Sequence, residues 1–150
     1  MDKTLLIKLL ESVADGKTST HDAAGKLQHM AFEDINYAHV DHHRSLRKGF
    51  PEVIFGEGKT AEQIAGIMDK MIPQENIILV TRIDRQKADM VLKRFPQSVY
   101  HEDARMIVLE LNTMPIRGRG PILIITAGTS DIPVAKEAYL TAKAMGNSVE

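Results

Sequence analysis

The middle of the chain alternates between short apolar runs and amphipathic patterns of helical period, and this alternation constrains the fold more than any other feature of the sequence. Apolar runs at 53–55, 77–80 and 106–111 have the length of strands. Patterns with the spacing of a helix occupy 60–72 and 84–95, between those runs. Parallel strands need a crossover connection, so the order strand, helix, strand, helix, strand predicts an α/β layer with parallel strands.

Both predicted helices carry start and stop signals. Thr60 and Gln63 have the spacing of a capping box, in which each side chain accepts a hydrogen bond from the backbone N–H of the other residue. Asp84 is placed to cap the second helix. Pro73 and Pro96 end the two patterns, because proline cannot continue a helix.

The N-terminal residues predict a helical hairpin over 1–32. Leucines recur at helical spacing up to Gly16, and a second helical pattern starts near Ser19 or Thr20. The apolar face of this second helix is thin. A pair of this kind more often serves packing or an oligomer contact than a ligand site.

The composition of the sequence changes in the C-terminal part of the chain. Pro, Gly and Arg are concentrated in 112–120, which indicates a linker. Beyond it, 122–125 has the composition of a buried strand, and 132–145 has a helical pattern that Gly146 and Asn147 end. One strand and one helix cannot cover both faces of an apolar strand. We therefore expect this unit either to join the preceding sheet or to begin a second domain.

Composition and charge exclude several classes of protein. The formal net charge of -1 leaves no basic surplus for general nucleic-acid binding. No cysteine is present, which excludes disulfides, cysteine zinc sites and a cysteine nucleophile within the 150 residues. The sequence shows neither a signal peptide nor an apolar run near the ~20 residues that span a membrane. We expect a cytoplasmic protein that interacts with neither nucleic acid nor membrane.

The turn formed by Gly128, Thr129, Ser130 and Asp131 is the first candidate site. A strand that feeds this turn into a helix start directs backbone N–H groups and hydroxyls toward one point, where the helix dipole favours an anion such as a phosphate. Asp131 has two readings, as a helix cap or as an acceptor for a ribose hydroxyl. The alternative for the whole turn is a plain N-cap, since Ser, Thr and Asp are common there.

The second candidate is the run His39-Val40-Asp41-His42-His43-Arg44-Ser45-Leu46-Arg47-Lys48. Its three cations within five residues favour an anion-binding loop. Its histidines and carboxylate are metal-ligand types, but adjacent histidines lack the spacing of a helical pair that shares one metal. A solvated loop is the third reading.

The third candidate is Phe55-Gly56-Glu57-Gly58-Lys59-Thr60, which ends like a phosphate-binding P-loop. Val53 stands where that loop needs its first glycine, so a nucleoside-triphosphate P-loop is rejected. A glycine turn into a capped helix is the simpler reading. Glu52, Glu57 and Lys59 remain candidates for lining a pocket at the carboxyl ends of the strands, where open α/β sheets bind ligands.

Four blocks of the sequence resemble one known family. The run from Asp41 to Ile64 is similar to the signature block of the LarB family, the pyridinium-3,5-biscarboxylic acid mononucleotide synthases. The blocks Val80–Arg82 and Tyr100–Arg105 follow in the expected order. The run from Ile125 to Ala138 resembles the start of the family's second domain, which is similar to the PurE-type aminoimidazole ribonucleotide carboxylases.

The resemblance implies two domains. Residues 1–115 would form a LarB-type N-terminal α/β domain that includes the hairpin. Residues 116–150 would be the truncated start of a PurE-like carboxylase domain, the first βα unit of a flavodoxin-like parallel sheet. The resemblance also implies an oligomer, and we expect a homo-oligomer because an incomplete second domain exposes apolar surface.

The resemblance also implies an activity. The family carboxylates the pyridinium ring of nicotinic acid adenine dinucleotide and hydrolyses its phosphoanhydride to release AMP, for nickel-pincer cofactor biosynthesis. Carbon dioxide or bicarbonate is the co-substrate, no bound cofactor is expected, and Mg²⁺ is left open. The family's catalytic cysteine has no counterpart here, so the chain alone is expected to be inactive.

By the same resemblance, two groups of residues match the family's substrate-binding positions. The turn Gly128, Thr129, Ser130 and Asp131 matches its substrate-binding turn, and the N-terminal signature contributes the following candidates: Asp41, His42, Arg44 and Lys59. Two other functions stay open. One is a carboxyaminoimidazole ribonucleotide mutase or carboxylase of purine biosynthesis. The other is a regulatory nucleotide-binding module without catalysis, of the kind labelled circadian phase modifier.

Overall fold

The computed structural model of the chain describes residues 3–29, 33–34, 39–40 and 52–150. Within these residues the chain forms an α/β fold, as the alternation predicts. In chain order the elements are α1 (Lys3–Ala14), α2 (Thr20–His29), β1 (Glu33–Asp34), β2 (His39–Val40), β3 (Val53–Phe55), α3 (Ala61–Met71), β4 (Ile77–Thr81), α4 (Arg85–Arg94), β5 (Val99–His101), β6 (Met106–Glu110), a 3₁₀ turn (Thr129–Asp131) and α5 (Ile132–Ala144).

The N-terminal helices confirm the predicted hairpin. α1 and α2 contact each other. The hydroxyls of Ser12 and Thr18 are 2.7 Å apart across their connection. Beyond the hairpin, β1 and β2 pair as an antiparallel ribbon.

The main sheet has four strands in the order β3-β4-β6-β5. β3 and β4 are parallel, as predicted, with Val53 opposite Leu79. β6 is antiparallel to both β4 and β5. The prediction that 106–111 runs parallel to its neighbour was therefore wrong.

The turn that precedes β6 explains the antiparallel pairing. The backbone N–H of Arg105 donates to the carbonyl of Glu102 (3.0 Å), and Arg105 has a φ of 50°. This tight turn reverses the chain between β5 and β6, so the two strands form a hairpin. β5 runs in the same direction as β4. The parallel crossover through α4 therefore exists, but it leads to β5, and β6 lies between the two strands.

The predicted caps of α3 and α4 are confirmed. The backbone N–H of Gln63 donates to Thr60 Oγ1 (3.2 Å), and the backbone N–H of Thr60 donates to Gln63 Oε1 (3.0 Å). The carboxylate of Asp84 accepts a hydrogen bond from the backbone N–H of Lys87 (2.9 Å). These bonds satisfy amide groups that have no partner inside the first helical turn.

α3 and α4 cover one face of the sheet and form the main core. Apolar residues of both helices pack on alternate residues of the central strands, among them Ile78 and Val80 of β4. The buried members are Ile54, Ala61, Ile64, Ala65, Ile67, Met68, Met71, Ile78, Val80, Ile83, Ala88, Val91, Phe95, Ile107 and Leu109. We call this side the first face of the sheet.

α5 packs against the opposite side, the second face of the sheet. Ala144 is buried there with Ile77, Leu79 and Met106, and Leu140 packs against the same cluster. Because strand residues alternate between faces, Leu79 points to α5 while Ile78 and Val80 point to α3 and α4. The C-terminal unit thus joins the preceding sheet through its helix.

The segment 122–125 differs from the predicted buried strand. Ile122 forms a single parallel bridge with Val149, and the backbone N–H of Ile124 donates to the carbonyl of Glu150 (2.9 Å). Parallel pairing on either side of α5 is the arrangement expected for a βα unit of a parallel sheet. However, the side chains of Leu123 and Ile125 are 65% and 80% exposed, because no described element packs over them. Apolar surface of this kind is what the predicted homo-oligomer would cover.

None of the helices within the described ranges combines the length and the apolar character that crossing a bilayer requires.

Candidate functional site at the carboxyl edge of the sheet

The ends of four strands bring several charged loops to one edge of the sheet. Because β3 and β4 are parallel, the loops that follow them, 56–60 and 82–84, leave at the same edge. The turn 102–105 lies there too, since β5 ends and β6 begins at this edge. We call this region the carboxyl edge. Open α/β sheets bind ligands at such an edge.

Gly56 holds the first of these loops against the end of β4. Its backbone N–H donates to the carbonyl of Thr81 (2.7 Å). A Cβ atom on Gly56 would lie 2.9 Å from that carbonyl oxygen and 3.2 Å from Val80 Cγ1, so a larger residue does not fit. The backbone N–H of Lys59 then donates to the carbonyl of Gly56 (3.2 Å), which closes a turn into α3. This geometry supports the glycine-turn reading of the segment.

Arg82 and Arg105 have left-handed backbones at the same edge. Their φ angles are 55° and 50°, and no other non-glycine residue in the described part of the chain has a positive φ. The backbone N–H of Ile83 donates to the carbonyl of Arg105 (3.0 Å), which ties the two segments together. A left-handed conformation costs an L-residue roughly 1–2 kcal/mol, and such conformations concentrate at functional sites. Both side chains belong to exposed residues.

Two ion pairs hold the first half of α5 over this edge. In one of them α5 contributes the acidic residue, and in the other it contributes the basic residue. Arg82 Nε lies 3.1 Å from Glu137 Oε2. Lys136 Nζ pairs with the carboxylate of Asp103. Exposed pairs of this kind contribute about 0–1 kcal/mol each, so they orient the start of α5 without clamping it.

The turn predicted to bind substrate directly precedes this half of α5. Thr129–Asp131 form the 3₁₀ turn, and the backbone N–H of Asp131 donates to the carbonyl of Gly128 (3.2 Å). Ser130 Oγ lies 3.4 Å from Asp131 Oδ1. All four residues of the turn are exposed. The side chain of Asp131 caps neither the 3₁₀ turn nor α5, so the capping reading of this residue was wrong.

Of the remaining predicted site residues, Lys59 lies within the described part of the chain. Lys59 is half-buried in the loop after β3, at the same edge as Arg82. Asp41, His42 and Arg44 lie outside the described residues, as does the rest of the charged run up to Lys48. Within the described residues, no group of three or more His, Cys, Asp or Glu side chains could hold a metal ion.

A small network of side chains supports the turn before β6. Tyr100 donates its hydroxyl hydrogen to the carbonyl of Ile83 (3.3 Å), and Arg85 stacks 5.7 Å above the Tyr100 ring while pairing with Glu102 (3.1 Å). Burial, followed by the charge of Glu102, raises the pKa of Tyr100 above its ordinary value. The hydrogen bond from the Lys87 amide lowers the pKa of Asp84. At neutral pH the Asp84 carboxylate is therefore ionised and the Tyr100 hydroxyl is protonated.

Sequence reasoning did not single out Arg82 and Arg105 as candidate site residues. Both close blocks that carry the family resemblance, Val80–Arg82 and Tyr100–Arg105, and this is the signal that was present. Their left-handed backbones had no signal, because glycine or asparagine is the residue expected at such a position.

Comparisons with known proteins agree with this architecture. The family model described as LarB/PurE-like N-terminal domain matches residues 32–112. An uncharacterized protein of Methanocaldococcus jannaschii is 30% identical over 144 residues. That match covers 92% of this chain and 56% of the relative, so the chain spans little more than half the length of this curated relative. The matched region runs through the whole four-stranded sheet, and the chain belongs to the family of proteins with a LarB/PurE-like N-terminal domain.

Proposed function

We propose that this chain is the dinucleotide-holding part of a LarB-type carboxylase, and that it binds nicotinic acid adenine dinucleotide at the carboxyl edge. The complete enzyme would carboxylate the pyridinium ring and release AMP, in nickel-pincer cofactor synthesis. The observation that carries the proposal is the pair of left-handed arginines, Arg82 and Arg105, beside a start of α5 that presents the exposed turn 128–131. Membership of a carboxylase-like family supports the same reading.

The charges at the edge favour a phosphate ligand. Arg82 is already paired with Glu137. Arg105 and Lys59, by contrast, form no ion pair with any residue in the described ranges. A pyrophosphate would give both cations a partner, and the guanidinium of Arg105 can bind two phosphate oxygens at once.

The turn 128–131 suits the rest of such a ligand. The hydroxyls of Thr129 and Ser130 are donors for phosphate oxygens, and the uncapped carboxylate of Asp131 is an acceptor for a ribose hydroxyl. The helix dipole of α5 adds positive potential at this end. The Arg82–Glu137 pair orients α5, so it would also position this turn relative to the phosphates bound at Arg105.

The proposed reaction needs a thiol nucleophile in addition to the residues of this chain. A pyridinium ring is electron-poor and does not attack carbon dioxide until a nucleophile adds to it, and the 150 residues contain no cysteine. The residues described here would therefore bind and orient the dinucleotide. Their cations would also offset the negative charge that develops as the new carboxylate forms and the phosphoanhydride is cleaved.

Calorimetric titration with nicotinic acid adenine dinucleotide tests the proposal. Arg105→Gln should weaken binding by about tenfold or more, since a charge-assisted hydrogen bond contributes roughly 1.5–3 kcal/mol. The matched control is Arg94→Gln. Arg94 pairs with Asp69 and lies at the far end of α4 from the edge, about 15 Å away along the helix. This variant should bind like the original chain.

Three results would contradict the proposal. The first is an absence of binding, and the second is an equal affinity of the two variants. The third is tighter binding of carboxyaminoimidazole ribonucleotide than of the dinucleotide, which would favour the purine-type activity. Ser130→Ala and Asp131→Ala then test the turn separately from Arg105. Thermal unfolding of every variant shows whether a lost affinity reflects a lost fold.

A further inference from the structure

We propose that a second ligand site, for a small amphipathic carboxylate, lies in the cleft between the second face of the sheet and the C-terminal half of α5. This site is independent of the dinucleotide site proposed at the carboxyl edge. The cleft has a volume of about 660 Å³, and its walls come from β5, β6, the segments 113–116 and 146–149, and α5. That volume is within the usual range of roughly 300–1,000 Å³ for small-molecule sites.

The walls of the cleft are mostly apolar. Val99 and Val108 are opposite each other on β5 and β6, and Met114 and Leu140 close the cleft from the other sides. Val99 is 54% exposed, so part of this wall is open to solvent. A flat or branched hydrocarbon group would cover these side chains, and removing about 25 cal/mol per Å² of apolar surface from water favours its binding.

Nitrogen donors that have no internal partner among the described residues line the cleft. His101 and Lys143 both line it, together with the hydroxyl-bearing Tyr139. In the described part of the chain, none of these three side chains forms a hydrogen bond or an ion pair. Lys143 lies near enough to contribute to a lowered pKa of His101, although burial is the larger cause. A carboxylate between the two would accept hydrogen bonds from both side chains and offset the positive charge of Lys143.

The end of the cleft away from His101 carries a negative charge. His101 is opposite Met106, at the start of β6, and Glu110 is the last residue of that strand. Four residues along a strand correspond to about 13 Å, so the carboxylate of Glu110 lies well away from His101. An anionic group would be repelled by Glu110 and attracted by Lys143, which lies near enough to His101 to affect its pKa. The cleft therefore orients an amphipathic anion in one direction.

The back wall of the cleft is fixed by a close approach of two backbones. Gly146 has a φ of 79°, and a Cβ atom there would lie 2.6 Å from the carbonyl oxygen of Pro115. The carbonyl of Gly146 accepts hydrogen bonds from the backbone N–H groups of Arg117 (2.7 Å) and Gly118 (3.2 Å). The segment predicted to be a linker is thus bound to the end of α5. A preformed wall reduces the ordering that a ligand would otherwise have to impose.

An NMR titration with benzoate tests the site, with benzamide as the neutral probe of the same shape. Benzoate should shift the amide signals of β5, β6 and the last turn of α5, and benzamide should bind at least about tenfold more weakly because it lacks the charge. Lys143→Gln should reduce benzoate affinity by about the same factor. Lys93→Gln is the matched control, because Lys93 is exposed on α4, which packs on the first face.

Two results would overturn the proposal. One is a pattern of benzoate shifts that does not include the cleft residues. The other is an equal benzoate affinity in the Lys143→Gln and Lys93→Gln variants. Val99→Glu is a second variant, which keeps an exposed strand position solvated while placing a negative charge in the cleft wall. It should also weaken benzoate binding, and unchanged binding would count against the site.

Discussion

The two faces of the four-stranded sheet are packed in different ways. On the first face, α3 and α4 bury a continuous core of fifteen residues. On the second face, α5 buries a cluster of five residues, and the part of that face formed by β5 and β6 contributes a wall of the cleft. β4 contributes fully buried side chains to both faces, Ile78 and Val80 to the first and Leu79 to the second. The difference therefore comes from what covers the sheet rather than from the central strand.

The first face contributes mainly to stability, whereas the second face leaves surface that can bind another molecule. A completely covered face contributes most of the apolar burial that stabilises a domain, and it leaves no space for a ligand. A partly covered face contributes less, but its uncovered side chains stay available to another molecule. The carboxyl edge is closer to the second case, since exposed ion pairs rather than packed side chains hold the start of α5 there.

The largest expected effect comes from emptying the first face. Met68 is fully buried in α3, and Met68→Ala should lower the free energy of unfolding by about 2–5 kcal/mol through lost burial and the remaining cavity. Leu140 is only half-buried on α5, so Leu140→Ala should cost about 1 kcal/mol, since less of its surface is removed from water. Urea unfolding of the two variants measures both values. Equal losses would mean that the second face stabilises the chain as much as the first.

The first face was also the part of the fold that sequence predicted best. The capping box at Thr60 and the apolar stripe of α3 are local signals, and the structure confirms both. The run that became β4 was recognisable because all five of its residues are buried. Burial of one face of a helix, or of both faces of a strand, is directly visible in the pattern of apolar residues along the sequence.

Elements that depend on backbone conformation are harder to recognise in the amino-acid sequence. β5 has three residues and lies at the edge of the sheet, so it shows no apolar run, and no local signal indicated its hairpin with β6. The reversal at Arg105 uses a left-handed residue that is not glycine, which no propensity would indicate. The site divides in the same way. The turn 128–131 was predicted from its composition, whereas Arg82 and Arg105 became candidates only once the fold had brought them together.

A change at Gly146 should affect only the second face, and by a smaller amount. Gly146→Ala introduces a Cβ atom against the carbonyl of Pro115 at a residue with positive φ, so we expect a loss of about 1–3 kcal/mol. Hydrogen exchange measured by mass spectrometry should show faster exchange in 115–118 and in the last turn of α5. Protection of α3 and β4 should stay as in the original chain. Uniformly faster exchange would instead show that the two faces unfold as one cooperative unit.

The smallest expected effect is a change in the pKa of His101, which reports on the cleft without altering the fold. Burial is the first cause that lowers this pKa below 6.5, and the positive charge of Lys143 is the second. Lys143→Gln should therefore raise the pKa of His101 but leave it below 6.5, and Lys93→Gln should leave it unchanged. NMR titration of the imidazole measures all three values.

The same shift links His101 to stability. Because its folded-state pKa is depressed, the unfolded chain binds the proton first as the pH falls. The contribution of the neutral imidazole to stability is therefore complete above pH 6.5 and decreases as the pH falls below that value. Lys143→Gln should reduce this loss, since the unfavourable charge near the imidazolium is removed while the burial remains. An identical pH dependence in the variant and the original chain would place Lys143 too far from His101 for the two to share a bound carboxylate.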